Sequence, residues 1–412
     1  MKSDLDRLMQ EAGLDALLVT GPRAHNPSLA YFTGQAHLTS ADLWKRRGDA
    51  PVLFCRSMER DEAARTSLPT QTIDAYKPLE LLKQARGDTA RQRAMLYQRM
   101  CTDLDIRGRL AVTGCADVGV SYATLQHLKT LMPDLEIVGA VDGYDVITQA
   151  RGTKDPEEVN RIRQMGKVTT EVAGDVADFL TAHRARNGML IDQQGEALTI
   201  GEVKRRINLW LAGRGAENPE GTIFAIGRDA GVPHSSGTDR APVEVGKTIV
   251  FDLFPCEAGG GYFYDFTRTW CLGYAPDEAQ RLHEEVKAVQ QEMLGALRGG
   301  TIFHEYQRRT CDAFEARGHP TPRGTPGTTD GFVHSLGHGV GLAVHEMPFT
   351  GYTDQSTDLL QPGSVVTVEP GLYYPDRGLG VRIEDTIWIR PDGTPEVLAE
   401  FPRDLLLKVQ GV

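Results

Sequence analysis

A chain of 412 residues, 40% hydrophobic and 25% charged, is long enough for two globular domains with sizeable cores. Its formal net charge of −11 argues against a nucleic acid or an anionic membrane as partner. No apolar run approaches the roughly 18 residues of a membrane helix, and MKSDLDRLMQEAGL lacks the apolar core of a signal peptide. Cys55, Cys101, Cys115, Cys256, Cys271 and Cys311 are scattered and form no CxxC, so they read as reduced thiols of a cytoplasmic protein.

Ser3 and Asp6 predict a capping box for a first helix whose apolar face holds Leu5, Leu8 and Met9. Gly13 ends it, and DALLVT follows as a buried strand. Helix and strand patterns alternate to about residue 148, which predicts an α/β domain over 1–154 built on a sheet. Within it, WKRRGD places Lys45, Arg46 and Arg47 on a loop. RGTKDPEEVNRIRQ marks the boundary: Asp155 caps a helix, Pro156 suits its first position and Glu158 its third. That helix runs to about Ala182. A second starts near Thr199, with Glu202 completing a capping box, and strands follow through Trp270. The order then recurs: helices over Asp277–Leu297 and Phe303–Ala316, then strands to the end. Residues 155–412 are therefore expected to form an α+β domain of two pseudo-symmetric halves.

Five side chains of this second region form one pattern: Asp252 in IVFDLF, Asp265 in YFYDFTRTW, His338 in HSLGHGVGLAVHEMP, Glu369 in VVTVEPG and Glu384 in VRIEDTIWI. Several of these acids lie in apolar, strand-like runs, where a buried carboxylate neutralises or finds a cation. Four carboxylates balance two divalent ions, and a two-metal site implies hydrolysis. One imidazole among hard oxygen donors suits manganese, cobalt, iron or zinc rather than calcium. Strand alternation turns Asp265, Thr267 and Thr269 to one face, with Thr267 placed to bond a ligating carboxylate. Arg382, Glu384 and Thr386 share another face, and Asp385 points away from it. Taken singly, Asp252 reads as well as a paired structural acid, and His338 as a satisfied loop histidine. The joint pattern carries the weight.

These segments, with GVPHSSGTDRAP and GVRIEDTIWI, resemble the pita-bread metallopeptidases: methionine aminopeptidase, aminopeptidase P and prolidase. The resemblance spans about 155–412, while the N-terminal part, with YFTGQ, is similar to the smaller domain of aminopeptidase P, prolidase and creatinase. It implies a creatinase-like α/β domain followed by a pita-bread catalytic domain. It implies that Asp252, Asp265, His338, Glu369 and Glu384 hold two divalent ions, manganese foremost with zinc or cobalt as alternatives, and that Asp265 and Glu384 bridge them. A bridging hydroxide would attack, Glu369 would shuttle the proton, and His234 and His345 would contact the substrate carbonyl and the tetrahedral intermediate. His334 matches a pocket histidine and Arg382 an arginine behind the ligands. The implied activity is an Xaa-Pro dipeptidase or aminopeptidase acting on a short peptide, in a homodimer.

Two departures stand out. Asp252 and Asp265 are thirteen positions apart, more than the family usually has, and PCEAGGG is placed to absorb the excess. Prolidases carry an arginine after the HE or HD motif to grip the dipeptide carboxylate, yet Met347 to Ser364 holds neither arginine nor lysine. Arg46 or Arg47, reaching a catalytic pocket from a neighbouring subunit, is the candidate replacement, against the plainer reading of a solvated basic turn. The alternatives are an exopeptidase of carboxypeptidase polarity, a creatinase-like small-amide hydrolase, and a non-catalytic binding module.

Overall fold

The computed structural model describes residues 4–140, 145–351, 353 and 355–412. The chain forms two compact units. One reaches Arg151 and includes Gly259–Gly261; the other holds Gly152–Ala258 and Tyr262–Val412.

The first unit is built on a six-stranded sheet in the order Thr70–Thr72, Val52–Cys55, Ala41–Arg46, Ala16–Gly21, Gly108–Gly114, Leu135–Val138. Ala16–Gly21 is central and covered on both faces, which is why its sequence is a continuous apolar run rather than an alternating one. Trp44 and Leu110 of its two neighbouring strands, and Phe54 one strand further out, join Tyr97 and Met100 of the Thr89–Asp103 helix in one core. The first helix is Leu5–Glu11, with Leu5 and Met9 buried. Ser3 lies outside the described residues. Asp6 does not cap; its carboxylate takes Lys45 Nζ (2.5 Å) and the Gly48 N–H (2.8 Å). WKRRGD is likewise corrected: Ala41–Arg46 is a strand, Lys45 in it is buried, and exposure begins at its last residue, Arg46, and continues through the turn. Local pattern missed this strand because its charged end is stabilised by an acid from a distant helix.

In the second unit the helix Pro156–Thr181 starts with the capping box expected of it: Asp155 accepts the Glu158 N–H (3.0 Å), and Glu158 accepts the Asp155 N–H (2.8 Å). Thr199 caps Ile200–Gly213 by accepting the Glu202 N–H (3.3 Å), but the box is not completed. The Glu202 carboxylate is taken by Arg205 and Arg206, each at 2.8 Å. A four-stranded sheet follows, Thr222–Ile226, Thr248–Leu253, Phe266–Leu272, Leu406–Leu407. The second helix pair is Asp277–Ala296 and His304–Glu315. It is followed by a five-stranded sheet in the order Glu346–Phe349, His338–Gly339, Val365–Val368, Asp385–Ile389, Pro395–Val397, and by the hairpin Gly371–Tyr374/Leu379–Arg382. Leu282, Val286, Val289 and Met293 recur at helical spacing and share a core with Val366, Val368, Ile383 and Ile387.

Gly166, inside the first long helix, faces the Tyr264 ring; a Cβ there would lie 2.6 Å from Tyr264 Cε2. The missing side chain lets the ring lie against the helix, and Tyr264 directly precedes Asp265. No described helix is long and apolar enough to cross a membrane.

Candidate metal centre

Two adjoining strands supply the first two acids. Thr248–Leu253 pairs antiparallel with Phe266–Leu272 so that Asp252 stands opposite Thr267, and Asp265 lies just ahead of the second strand. An isolated bridge between Thr267 and Glu384 brings in the end of VRIE. His338 opens a short strand beside Val365–Val368, which runs into Glu369. Asp252, Asp265, His338 and Glu384 are buried, and Glu369 is nearly so. Ligand atoms of Asp265, His338 and Glu384 lie within 4.8 Å of one another. His338 Nε2 is 3.6 Å from Asp265 and 3.3 Å from Glu369.

Hydroxyls and a guanidinium aim these side chains. Thr267 Oγ1 donates to Glu384 Oε2 (2.6 Å) and accepts from Arg382 Nε (3.1 Å). Arg382 Nη2 binds Asp252 Oδ2 at 2.6 Å, and Nη1 donates to the Tyr373 hydroxyl at 2.7 Å. The direct carboxylate partner of Arg382 is thus Asp252, and it reaches Glu384 through Thr267. Thr367 Oγ1 donates to Glu369 (3.2 Å) and accepts the His338 N–H (3.1 Å). The His338 Nδ1 contact is the Gly339 carbonyl (3.1 Å), which can only accept, so Nδ1 carries a proton and Nε2 is the nitrogen turned toward Asp265 and Glu369. By the same logic His334 donates Nδ1–H to the Ser335 carbonyl (2.7 Å), and Nε2 accepts from the Tyr373 hydroxyl (2.8 Å).

The electrostatics are those of a cation site. Burial, reinforced by the neighbouring acids, pushes Asp265 and Glu384 well above the usual carboxylate range. Burial also raises Asp252, against the pull of Arg382. Two carboxylates 4 Å apart repel by about 4 kcal/mol at an effective dielectric of about 20, roughly three pKa units, so the four acids cannot all be ionised without added cations. Burial disfavours charge on both His338 and Glu369, yet their mutual contact outweighs it, holding His338 up at about 9 and Glu369 down at about 2. Among the described residues, Asp252 Oδ1 and Glu384 Oε1 are buried without any hydrogen-bond partner. A buried orphan oxygen costs about 1–3 kcal/mol, more if charged. Two of them among these acids fit divalent ions.

The other expected residues are placed as follows. His345 lies near His338, ring centroids 4.3 Å apart, and burial together with the His338 charge pushes it down to about 4. His334 is 3.9 Å from Glu369 and is pushed to about 4 by burial. His234 is exposed on its Pro/Gly-rich loop, and the carbonyl of Pro233 before it accepts from Arg382 (3.3 Å). Arg46 and Arg47 belong to the first unit. Arg46 contacts Asp49 and Asp105 at 3.4 Å, and Arg47 contacts Asp15 at 3.1 Å. Asp385 is buried in a separate cage with Arg268 (2.7 Å), Arg403 (2.5 Å) and Gln290 (3.0 Å). Thr367 went unnoticed in the sequence. Its signal was strand alternation, which puts it two residues from Glu369 on the same face.

Two family models match the chain: Metallopeptidase family M24 over residues 160–391, and Creatinase/Prolidase N-terminal domain over residues 2–152. An Xaa-Pro dipeptidase of Pyrococcus furiosus is 29% identical over 413 residues, covering 98% of this chain and 100% of the relative. The solved prolidase of Pyrococcus horikoshii OT3 superimposes with a TM-score of 0.71 at 23% identity, over 98% of this chain and 99% of that one. The X-Pro aminopeptidase of Thermotoga maritima MSB8 gives 0.74 at 24% identity, over 98% and 100%. These two structures establish the pita-bread fold expected from the sequence.

Proposed function

The chain belongs to metallopeptidase family M24, and on that footing we propose that it hydrolyses short peptides at an Xaa-Pro bond, as a dipeptidase or an aminopeptidase. The observation that carries this reading is the meeting of Asp265, His338 and Glu384, with Glu369 3.3 Å from His338 and two buried carboxylate oxygens left unsatisfied at Asp252 and Glu384. In the proposal Asp252, Asp265, His338, Glu369 and Glu384 would hold two divalent ions; manganese is the proposed metal, with zinc or cobalt as alternatives. Such ions, when bound, polarise a carbonyl and make hydroxide available near neutral pH.

The remaining chemistry falls to side chains. Glu369 carries a proton from the attacking water to the leaving amine. His234 and His345 hold the scissile carbonyl, His334 lines the pocket, and Arg382 keeps Asp252 ionised and aimed. A proline amide has no N–H, so recognition there relies on shape rather than on a backbone donor. Arg46 or Arg47 grips the free carboxylate of the substrate from a second subunit of a homodimer. Arg46 suits this because it is half-exposed and its two acid contacts are long. Residues 1–154 form the creatinase/prolidase-like domain and 155–412 the catalytic one. The free cysteines suit the reducing cytoplasm.

Hydrolysis by manganese-loaded protein of Ala-Pro, Ala-Pro-Ala, a dipeptide without proline, and creatine tests the reading. Cleavage of Ala-Pro alone identifies a dipeptidase, and release of Ala from the tripeptide an aminopeptidase. Loss of the last residue of the tripeptide would mean carboxypeptidase polarity, and turnover of creatine alone a small-amide hydrolase. Inertness toward all four at full metal occupancy overturns the proposal.

A further inference from the structure

We infer that Lys154 is a positioning residue for His345, acting through a buried ion pair with Glu346; the inference rests on the peptidase reading above. Lys154 Nζ lies 2.6 Å from Glu346 Oε1, with the two side chains 2% and 1% exposed. Both partners are anchored. The Lys154 N–H donates to the Gly363 carbonyl (2.8 Å), and the next residue, Asp155, is the helix cap. Glu346 Oε2 accepts the Ala343 N–H (3.3 Å), and Glu346 opens a strand opposite Gly339, the neighbour of His338. The turn closes tightly on the pair: a Cβ at Gly341 would lie 2.1 Å from Glu346 Oε1 and 2.9 Å from Lys154 Cε.

The same helix start holds a second segment of the site. Glu158, whose Oε2 closes the capping box, takes the Tyr262 hydroxyl on Oε1 (2.5 Å), three residues before Asp265. Arg161 forks onto Glu257 (2.9 and 2.5 Å) with its guanidinium 4.6 Å from the Tyr262 ring centroid. Among the described residues the His345 ring has no hydrogen-bond partner of its own. Beyond its packing on the His338 ring, its place is set by the backbone on either side, and on one side that backbone is fixed by Glu346. A well-packed apolar pair would avoid the desolvation cost of two buried charges. What the charges add is a short fixed distance: the lysine holds the carboxylate at 2.6 Å, and with it the adjoining histidine.

Lys154→Met, Glu346→Gln and the double variant test this, with kcat, KM, metal content, melting temperature and the histidine ring signals of the metal-free full-length chain by 15N NMR. Lys154→Met strands a carboxylate and displaces the turn. Because a 1 Å misplacement costs on the order of 100-fold, kcat is expected to fall about 10- to 100-fold with KM and metal content held. The His345 ring signals shift while those of His283 and His319 stay. The double variant, with no stranded charge, recovers part of the loss. A lower melting temperature with wild-type kcat and unmoved His345 signals makes the pair merely structural and overturns the inference. Should Lys154→Met not fold, Glu346→Gln, which keeps the volume, is read by the same outcomes. If the wild type cleaves no peptide, the peptidase reading fails on its own, and the His345 signals alone decide the role of Lys154.

Discussion

Arg382 Nη2 and Asp252 Oδ2 meet at 2.6 Å, both buried, and the other two guanidinium nitrogens go to Thr267 and Tyr373. One planar group thus orients two acids, Asp252 directly and Glu384 through a hydroxyl. Arg382→Met strands Asp252, and breaking a buried pair in this way costs about 3–5 kcal/mol. Metal affinity should fall about 10- to 100-fold, as is usual when a residue behind a ligand is lost. Thermal unfolding of the metal-free variant measures the first and its titration with manganese the second; unchanged affinity would contradict the role given to Arg382.

Metal binding should release protons. Without ions, Asp265 and Glu384 are held well above the usual carboxylate range and His338 at about 9, so these groups carry protons that ligation expels. Affinity should therefore rise with pH up to about 9. Folding follows the same linkage. Groups whose pKa is raised by folding favour the native state at low pH and lose that contribution as pH climbs through their folded values. The chelated protein should lose stability from mildly acidic toward alkaline pH, widening its melting gap from the loaded form. Calorimetry in buffers of different ionisation enthalpy reads the protons; equal heats across buffers would count against the scheme.

His345→Ala and His234→Ala should each lower kcat about 100- to 1000-fold, the usual loss of one donor at a reacting carbonyl, with bound metal unchanged. Loss of metal instead would move these histidines from substrate to ligand shell. Steady-state kinetics with metal analysis separates the two outcomes.

Arg46→Ala should raise KM for Ala-Pro about tenfold and leave kcat near wild type, since the arginine is proposed to bind the substrate carboxylate rather than the reacting atoms. Arg47→Ala distinguishes which of the two arginines reaches the pocket. If both variants keep the wild-type KM, the arginines are a solvated turn.

Gly166→Ala places a methyl against Tyr264, 2.6 Å from its ring carbon. Overpacking of this kind costs about 1–3 kcal/mol. Thermal unfolding of the variant checks it; a melting temperature equal to wild type would show that the ring gives way freely.

The acids of the site were legible because strand periodicity exposes a carboxylate in an apolar run. Asp252, Glu369 and Glu384 stand out in IVFDLF, VVTVEPG and VRIEDTIWI, and alternation alone set Asp385 apart from Glu384. The capping box at Asp155 was legible for the same reason: its geometry is local. What the sequence hid were the partners of charges. Nothing near WKRRGD announces that Asp6 will hold Lys45 in a strand, and nothing near Glu346 names Lys154, far away in sequence. Glu202 shows the converse, a local motif whose carboxylate was claimed by two arginines one turn along. Ion pairs form between elements that meet only after folding, so a linear pattern carries no trace of them.

The donors proposed for the centre run from Asp252 to Glu384, and the sheet that carries Asp252 gains its edge strand only at Leu406–Leu407. A nascent polypeptide emerging from the ribosome therefore has no complete cage to offer until nearly its whole length has been synthesised. On that donor set ion capture would be a late event in biogenesis, and a chain arrested before Glu384 would lack one of the proposed donors altogether.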